Sequence, residues 1–308
     1  MAFGILSHVL AELGRGSTTP NPALNDKKQP WFEGRLKTAI ERSQGYLLGE
    51  QKEDGYWIGE LMVDSTLVSD TIAYHHWNGR IDPEWQRKGV NHILSMQLPD
   101  GGWNIYHGGP AEVNATIKAY LALKLAGTPL TDNRMLRARE MAMSLGGIPR
   151  MNTFSKLYLA LLGLFPWKYV PTIPCEVILI GEWFHVNFHE MSSWSRSMLV
   201  PLAIINHYKP TRNPGGISLH ELFPEGYHER DLALPFDPEW CTWRNLFLKL
   251  DRLHKFAELF AQHGIHPFRK RALREAEAWM LERLEGTDGL AAIFPAILNS
   301  LIAMKAMG

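Results

Sequence analysis

The stretch Gln51-Lys-Glu-Asp-Gly-Tyr-Trp57 decides the fold, because the chain writes its pattern twice. Gln97-Leu-Pro-Asp-Gly-Gly-Trp103 repeats Gln-x-x-x-Gly-x-Trp, again with Asp directly before Gly. A worn third copy stands near the end as Glu285-Gly-Thr-Asp-Gly289-Leu-Ala291. An Asp-Gly step marks a turn, since glycine reaches positive φ without a Cβ clash. Helical spacing precedes each full copy, with Ala39, Ile40, Tyr46, Leu47 and Leu48 before the first and Trp85, Val90, Ile93, Leu94 and Met96 before the second. It also follows each, through Leu67, Val68, Ile72, Ala73 and Trp77, then Val113, Ile117, Tyr120, Leu121, Leu123 and Leu125. The repeating unit is therefore helix, Gln/Gly/Trp turn, helix. The Gln at the end of a helix can donate to orphan carbonyls, and the Trp face can stack on its amide while burying apolar area.

Outward from the repeat, 308 residues at 45% hydrophobic suffice for a buried core in one or two domains. Lys and Arg total 32, as do Asp and Glu, so no nucleic-acid footprint is present. Eleven Trp is high. The repeats use some, and the rest suit an apolar pocket or a membrane interface. Cys175 and Cys241 do not make a disulfide framework. The start of the chain does not read as a signal peptide, and no apolar run reaches the roughly 18 residues of a spanning helix.

Residues 1–30 read as an amino-terminal segment and linker: an amphipathic stretch over 1–13, then a Gly/Ser/Thr/Pro/Asn-rich 14–30. Residues 31–308 read as one helical domain. Helices are predicted over Arg134–Ser144, Phe154–Leu164, Ser192–His207, Trp240–Gln262, His266–Leu284 and 293–306. Val177–Ile180 is a short buried helix or strand, and the Pro/Gly-rich 209–238 is irregular. No strand-rich segment emerges. The fold class is all-α, an (α/α) barrel or toroid of paired helices in inner and outer layers.

The repeats resemble the QW motifs of the triterpene cyclases. Gly101-Gly-Trp-Asn-Ile-Tyr-His-Gly-Gly-Pro110, Phe165-Pro-Trp167, Ser193-Trp-Ser-Arg196, His266-Pro-Phe-Arg269 and Asp288-Gly-Leu-Ala-Ala-Ile-Phe-Pro295 are similar to bacterial squalene-hopene cyclase. The likeness covers roughly residues 35–308 and concerns the amino-terminal half of that family only. It implies a reaction in which a terminal alkene is protonated and a carbocation cascade follows. The family's acid, the middle Asp of Asp-x-Asp-Asp, belongs to the other half. This sequence has no Asp-x-Asp-Asp and no two adjacent Asp, so no catalytic residue is assigned. Asp64 and Asp70 are the carboxylates to test should the chain act alone.

The resemblance further implies that Trp194, Ile293 and Phe294 line the substrate cavity, where aromatic faces and dryness stabilise cations. It places Met191 and Leu199 on the apolar channel, and Asp70, Lys118 and Asn152 at a polar network. Read from pattern alone, Trp194 is a buried core residue and the three polar residues are surface ion pairs. Trp240, Trp243, Leu246, Phe247 and Leu250 share one side of a helix, with Arg244, Lys249, Arg252 and Lys255 largely off it. That composition fits either a monotopic membrane face or a surface helix turned to the core. The implied partners are squalene or a similar polyprene, the cytoplasmic face of a membrane, a carboxy-terminal cyclase half and a second copy. No cofactor and no nucleic acid are implied. A non-catalytic binder of hydrophobic lipid is the alternative, and a prenyltransferase-type toroid would need a zinc set that neither Cys supplies. His185 and His189 have metal-chelating spacing on a helix but no third ligand. His220-Glu221 lacks the second His of a zinc-protease motif, and the adjacent His75 and His76 face apart on a helix.

Overall fold

The computed structural model describes residues 30–58, 63–184, 187–261, 268–287 and 289–308. The amphipathic stretch 1–13 and the linker up to residue 29 lie outside the described residues; Pro30 already begins a helix. The chain divides into two compact units, one spanning Ser7–Met62 and the other including Val63–Gly308. Among the described residues there are ten α-helices, several single turns of 3-10 helix and no strand, as the all-α reading requires.

The first unit contributes α1 (Pro30–Glu50) and the first repeat turn. The second contributes α2 (Ser65–Asn78), α3 (Pro83–Ser95), α4 (Val113–Leu125), α5 (Asn133–Ser144), α6 (Thr153–Leu161), α7 (Ser193–Tyr208), α8 (Trp243–Ala261), α9 (Arg269–Leu284) and α10 (Phe294–Met307). Val177–Ile180 belongs to a 3-10 turn, Cys175–Leu179. Cap residues set the helix starts. Asp64, Asp82, Glu112, Asp132, Asn152 and Ser192 each accept a backbone N–H of the first turn that follows.

Two kinds of helix alternate in the second unit. α4 is buried from Ala115 to Leu123 except at Lys118, and α7 is buried without a break from Ser197 to Asn206. α3, α5 and α9 instead bury a single stripe, such as Met135, Ala138 and Ala142 on α5 or Ala272, Ala276 and Met280 on α9. A helix apolar all round must be inside, and one with a stripe must cover it. Accordingly α4 packs on α2 and α5, and α7 packs on α10 and α9.

The two full repeats fold identically at the local level. Gln51 Nε2 donates to the Gly55 carbonyl at 2.8 Å, and Gln97 Nε2 to the Gly101 carbonyl, also at 2.8 Å. The indole N–H of Trp57 donates to the Leu47 carbonyl and that of Trp103 to the Ile93 carbonyl, the latter at 2.7 Å. A carbonyl in the last turn of the preceding helix thus accepts from the Trp, that of Ile93 also accepting from the Met96 N–H at 3.2 Å, while the Gln closes the turn itself. Gly101 has φ 95°, and a Cβ there would lie 2.7 Å from the Arg137 carbonyl oxygen. In the worn copy Gly289 keeps φ 104°, with Thr287 Oγ1 on its carbonyl at 3.3 Å and Ala291 in place of the indole.

The copies differ in burial: Trp103 is 1% exposed and Trp57 48%. Trp103→Ala is expected to cost about 3–5 kcal/mol through cavity formation. Trp57→Ala should cost only about 1 kcal/mol, the worth of its hydrogen bond. Urea unfolding followed by circular dichroism measures both, and equal losses would contradict this assignment.

Candidate functional site

Inner helices carry polar side chains into one buried thread. Lys118 Nζ on α4 donates to Asp70 Oδ2 on α2 at 2.7 Å, with Asp70 8% exposed. The same ammonium lies 5.1 Å from the centre of the Tyr158 ring on α6. The Tyr158 hydroxyl donates to Asn299 Oδ1 on α10 at 3.0 Å, and Asn299 is fully buried. Burial pushes the Asp70 carboxyl upward, and the Lys118 charge opposes it. Burial, then the Asp70 charge, raises the Tyr158 hydroxyl far above its ordinary range, so it stays a neutral donor. Asp70 and Lys118 do pair, but inside the protein rather than on its surface. Asn152 caps α6 instead: its Oδ1 accepts from Ser155 N–H at 2.9 Å, and its own N–H donates to Asn114 Oδ1 at 2.8 Å.

Of the residues assigned to the cavity, Trp194 stands in the first turn of α7 and is 49% exposed, not buried in the core. Ile293 caps α10 and Phe294 begins it; both are half-buried against the core. The turn before them, Leu290–Ala292, packs on α7 and holds Ala291 and Ala292 at φ 56° and 51°, left-handed values costly for alanine. Met191 is half-buried just ahead of α7. Leu199 is buried in mid-helix beside Cys175, Phe188 and Ala276. A groove of about 650 Å³ opens along α9, lined by Ile178, Leu179, Phe188, His189, Glu275 and Trp279 among others. Trp194, Ile293 and Phe294 do not line it.

α8, with Trp240 just ahead of it, turns Asn245, Asp251 and Glu258 toward the body, while Arg244, Lys249 and Arg252 stay exposed beside its apolar residues. Trp240, Trp243, Leu246, Leu250 and Leu253 are exposed, and Phe247 is half-buried with its ring stacked 6.1 Å from that of Trp243. The opposite face holds the helix to the body. Asn245, buried, accepts from the Asp237 N–H at 2.8 Å and donates to the Glu239 carbonyl at 2.7 Å. Asp251 accepts from the Thr172 N–H at 2.7 Å and pairs with Lys255 at 2.8 Å. Glu258 meets Lys209 at 3.3 Å and Arg269 at 3.6 Å. An ordinary surface helix would show the reverse arrangement. No helix among the described residues is long and apolar enough to cross a membrane.

The remaining polar motifs are structural. Glu221 accepts from Lys124 and from the Tyr120 hydroxyl at 3.0 Å, and Lys124 also reaches the Ser218 carbonyl at 2.6 Å. His220-Glu221 therefore clamps the irregular segment onto α4. His189 lies in a turn rather than on a helix, and His185 lies outside the described residues. His75 and His76 do not face apart. The first packs 5.1 Å from Trp85 and the second bonds Gln86 at 2.8 Å, because adjacent positions can straddle one neighbouring helix. Burial pushes the Cys175 thiol up to about 12, while Cys241 is exposed. No group of three or more His, Cys, Asp or Glu is gathered among the described residues.

Tyr158 and Asn299 escaped the reading of the sequence, although a lone Asn within Phe294-Pro-Ala-Ile-Leu-Asn299-Ser-Leu is the signal that could have raised the second. Lys118→Met leaves Asp70 buried without its partner and is expected to cost about 3–5 kcal/mol. The double change Asp70→Leu with Lys118→Met should recover most of that loss. A double-mutant cycle by urea unfolding tests this; additive losses would show that the pair does not act as a unit.

With this geometry in hand, the comparisons are specific. The squalene-hopene cyclase amino-terminal domain model matches residues 40–308. The dammaradiene synthase of Dryopteris crassirhizoma is 34% identical over 274 residues, 89% of this chain and 39% of that protein. The squalene–hopene cyclase of Zymomonas mobilis subsp. mobilis is 37% identical over 276 residues, 89% of this chain and 41% of that protein. The squalene–hopene cyclase of Bradyrhizobium diazoefficiens is 34% identical over 277 residues, again 89% and 41%. The chain spans about two fifths of the length of these curated relatives. It belongs to the squalene-hopene cyclase family, whose amino-terminal domain it matches.

Proposed function

We propose that this chain supplies the amino-terminal wall of a polyprene-cyclising enzyme and works with a carboxy-terminal half that carries the acid. The observation that carries the reading is the match of residues 40–308 to the amino-terminal domain, at about two fifths of the relatives' length. The reaction is an isomerisation. A carboxylic acid on the partner half protonates a terminal alkene, carbon–carbon bonds form as the cation migrates, and a proton is lost at the end. The wall contributes the faces of Trp194 and Phe294 and the apolar bulk of Ile293, which stabilise cations without offering a nucleophile.

The carboxylates of this chain support the division of labour. Asp64 accepts from the Thr66 backbone N–H at 2.8 Å and from the Thr66 hydroxyl as a helix cap. Asp70 is held by the Lys118 ammonium. Neither is a free acid: Asp64 is occupied as a helix cap and Asp70 as the partner of the Lys118 ammonium. A hydrophobic-lipid binder that has lost the chemistry rests on the same facts and is separated from the first reading by experiment.

Squalene should be converted to a cyclised product, read by gas chromatography, only when the chain is expressed with an Asp-x-Asp-Asp half. Trp194→Ala should then lower the yield at least about tenfold, the loss of one aromatic–cation contact of about 1.4 kcal/mol or more. Product from this chain alone would sink the division of labour, and no product from the pair would favour the lipid binder.

We further propose that the exposed side of α8 rests on the cytoplasmic face of a membrane, without spanning it. Its support is the row of exposed Trp and Leu on a helix fastened from behind by polar groups. Leu246→Glu with Leu250→Glu should weaken cosedimentation with phospholipid vesicles at least about tenfold, since each Leu contributes about 1.5 kcal/mol or more when buried. Unchanged vesicle binding would discard this face.

A further inference from the structure

We propose that a half-buried ionic clasp built from His207, His254, Arg269, Glu176 and Glu258 fastens the polar back of α8 to the body, and opens when its histidines take up protons. The inference rests on the reading of α8 as the docking face and names how that face is regulated.

The clasp joins four elements. His207 lies in the last turn of α7, Glu176 in the Cys175–Leu179 turn, Arg269 at the start of α9, and His254 and Glu258 on α8. Arg269 is 8% exposed and sits at the centre. Its Nε donates to Glu176 Oε1, its Nη1 lies 3.6 Å from Glu258 Oε1, and the same Nη1 meets His207 Nδ1 at 2.9 Å. A guanidinium can only donate. His207 Nδ1 must therefore accept, and the imidazole is the neutral Nε2–H form. A proton on Nδ1 would replace that hydrogen bond with two donors facing each other and two like charges in contact.

The surrounding charges are balanced only while both imidazoles are neutral. Facing them are the carboxylates Glu176, Glu258 and Asp251 and the cations Arg269, Lys209 and Lys255. The Cys175 thiol, next to Glu176, is uncharged. Each protonated histidine adds a positive charge to a neutral set. His254 Nδ1 and Glu176 Oε2 are also buried without a hydrogen-bond partner, so the closed clasp holds little reserve.

Burial lowers both imidazoles below their ordinary value of 6.5; the Arg269 charge acts the same way, and the Glu258 and Glu176 carboxylates oppose it without reversing it. The direction follows from linkage. With folded values depressed, the open or unfolded state binds more protons below 6.5, so clasp stability is complete above that value and falls as pH drops through and below it.

Hydrogen exchange of the full chain tests this. Between about pH 7.5 and about pH 5.5, the exchange of α8 amides, corrected for intrinsic rates, should rise at least about tenfold while α4 stays unchanged. His207→Asn keeps an acceptor for Arg269 without titrating, and His254→Gln removes the second switch. In the double variant the rise should vanish. A rise shared equally by α4, or one that persists in the double variant, overturns the clasp. Should the double variant lose α4 protection at neutral pH, histidine-ring NMR of the unaltered chain decides: imidazoles titrating at the ordinary value overturn the proposal, and depressed ones support it. Vesicle cosedimentation at both pH values separates the two readings. An α8 that switches but never binds phosphatidylcholine vesicles would keep the clasp and remove the docking face.

Discussion

An all-α protein must satisfy the last carbonyls of every helix, and here a side chain from the next turn does it. The indole N–H of Trp103 reaches back to the Ile93 carbonyl at the end of α3. That single bond fixes the Trp against the helix it follows and so fixes where the next helix can start. It is buried, and an indole N–H left there without an acceptor would cost more than the bond itself contributes. Gln97 then ties the turn to the neighbouring pair, since its amide also donates to the Arg134 carbonyl of α5 at 2.9 Å. The repeat is therefore both a local turn and a joint between successive helix pairs.

The same demand explains the long irregular segment after α7. Its backbone pairs with itself only in short 3-10 turns over 209–238, so side chains from the inner helices help to hold it. Trp77 Nε1 donates to the Pro210 carbonyl at 3.2 Å, Arg212 Nη1 returns to the Trp77 carbonyl at 3.1 Å, and Lys124 and Tyr120 meet Glu221. Residues that resembled catalytic or metal-binding motifs serve as anchors for loop backbone. Glu221, for one, has its carboxylate engaged by Lys124 and Tyr120.

The helices, their order and the repeat turn were legible because periodicity and Asp-Gly steps are local signals. Phe154–Leu164 was legible as an inner helix too, since it is apolar nearly all round. The thread from Asp70 to Asn299 was not, because its partners stand far apart in sequence and nothing local marks Lys118 as buried. The role of the Trp was half legible. Its area pointed to burial, but the acceptor ten residues upstream appears only when the turn is folded. The candidate cavity residues owe their assignment to the family resemblance, and the fold adds their exposure and their place at the starts of α7 and α10.

Amphipathicity states that a helix has an apolar side but not which way that side points, and α8 turns on this difference. Two settings compete. Turning Trp243, Leu246 and Leu250 inward would bury apolar area worth about 1.5–3 kcal/mol per residue. It would also release Asn245, Asp251 and Glu258 from partners that the body has already placed for them. Arg269, itself buried, would be left with Glu176 as its only carboxylate among the contacts described, and the loop carbonyls of the half-buried Asp237 and the exposed Glu239 would lose the Asn245 amide. In this structure the polar contacts prevail: Asn245, Asp251 and Glu258 face the body, and Trp243, Leu246 and Leu250 face out.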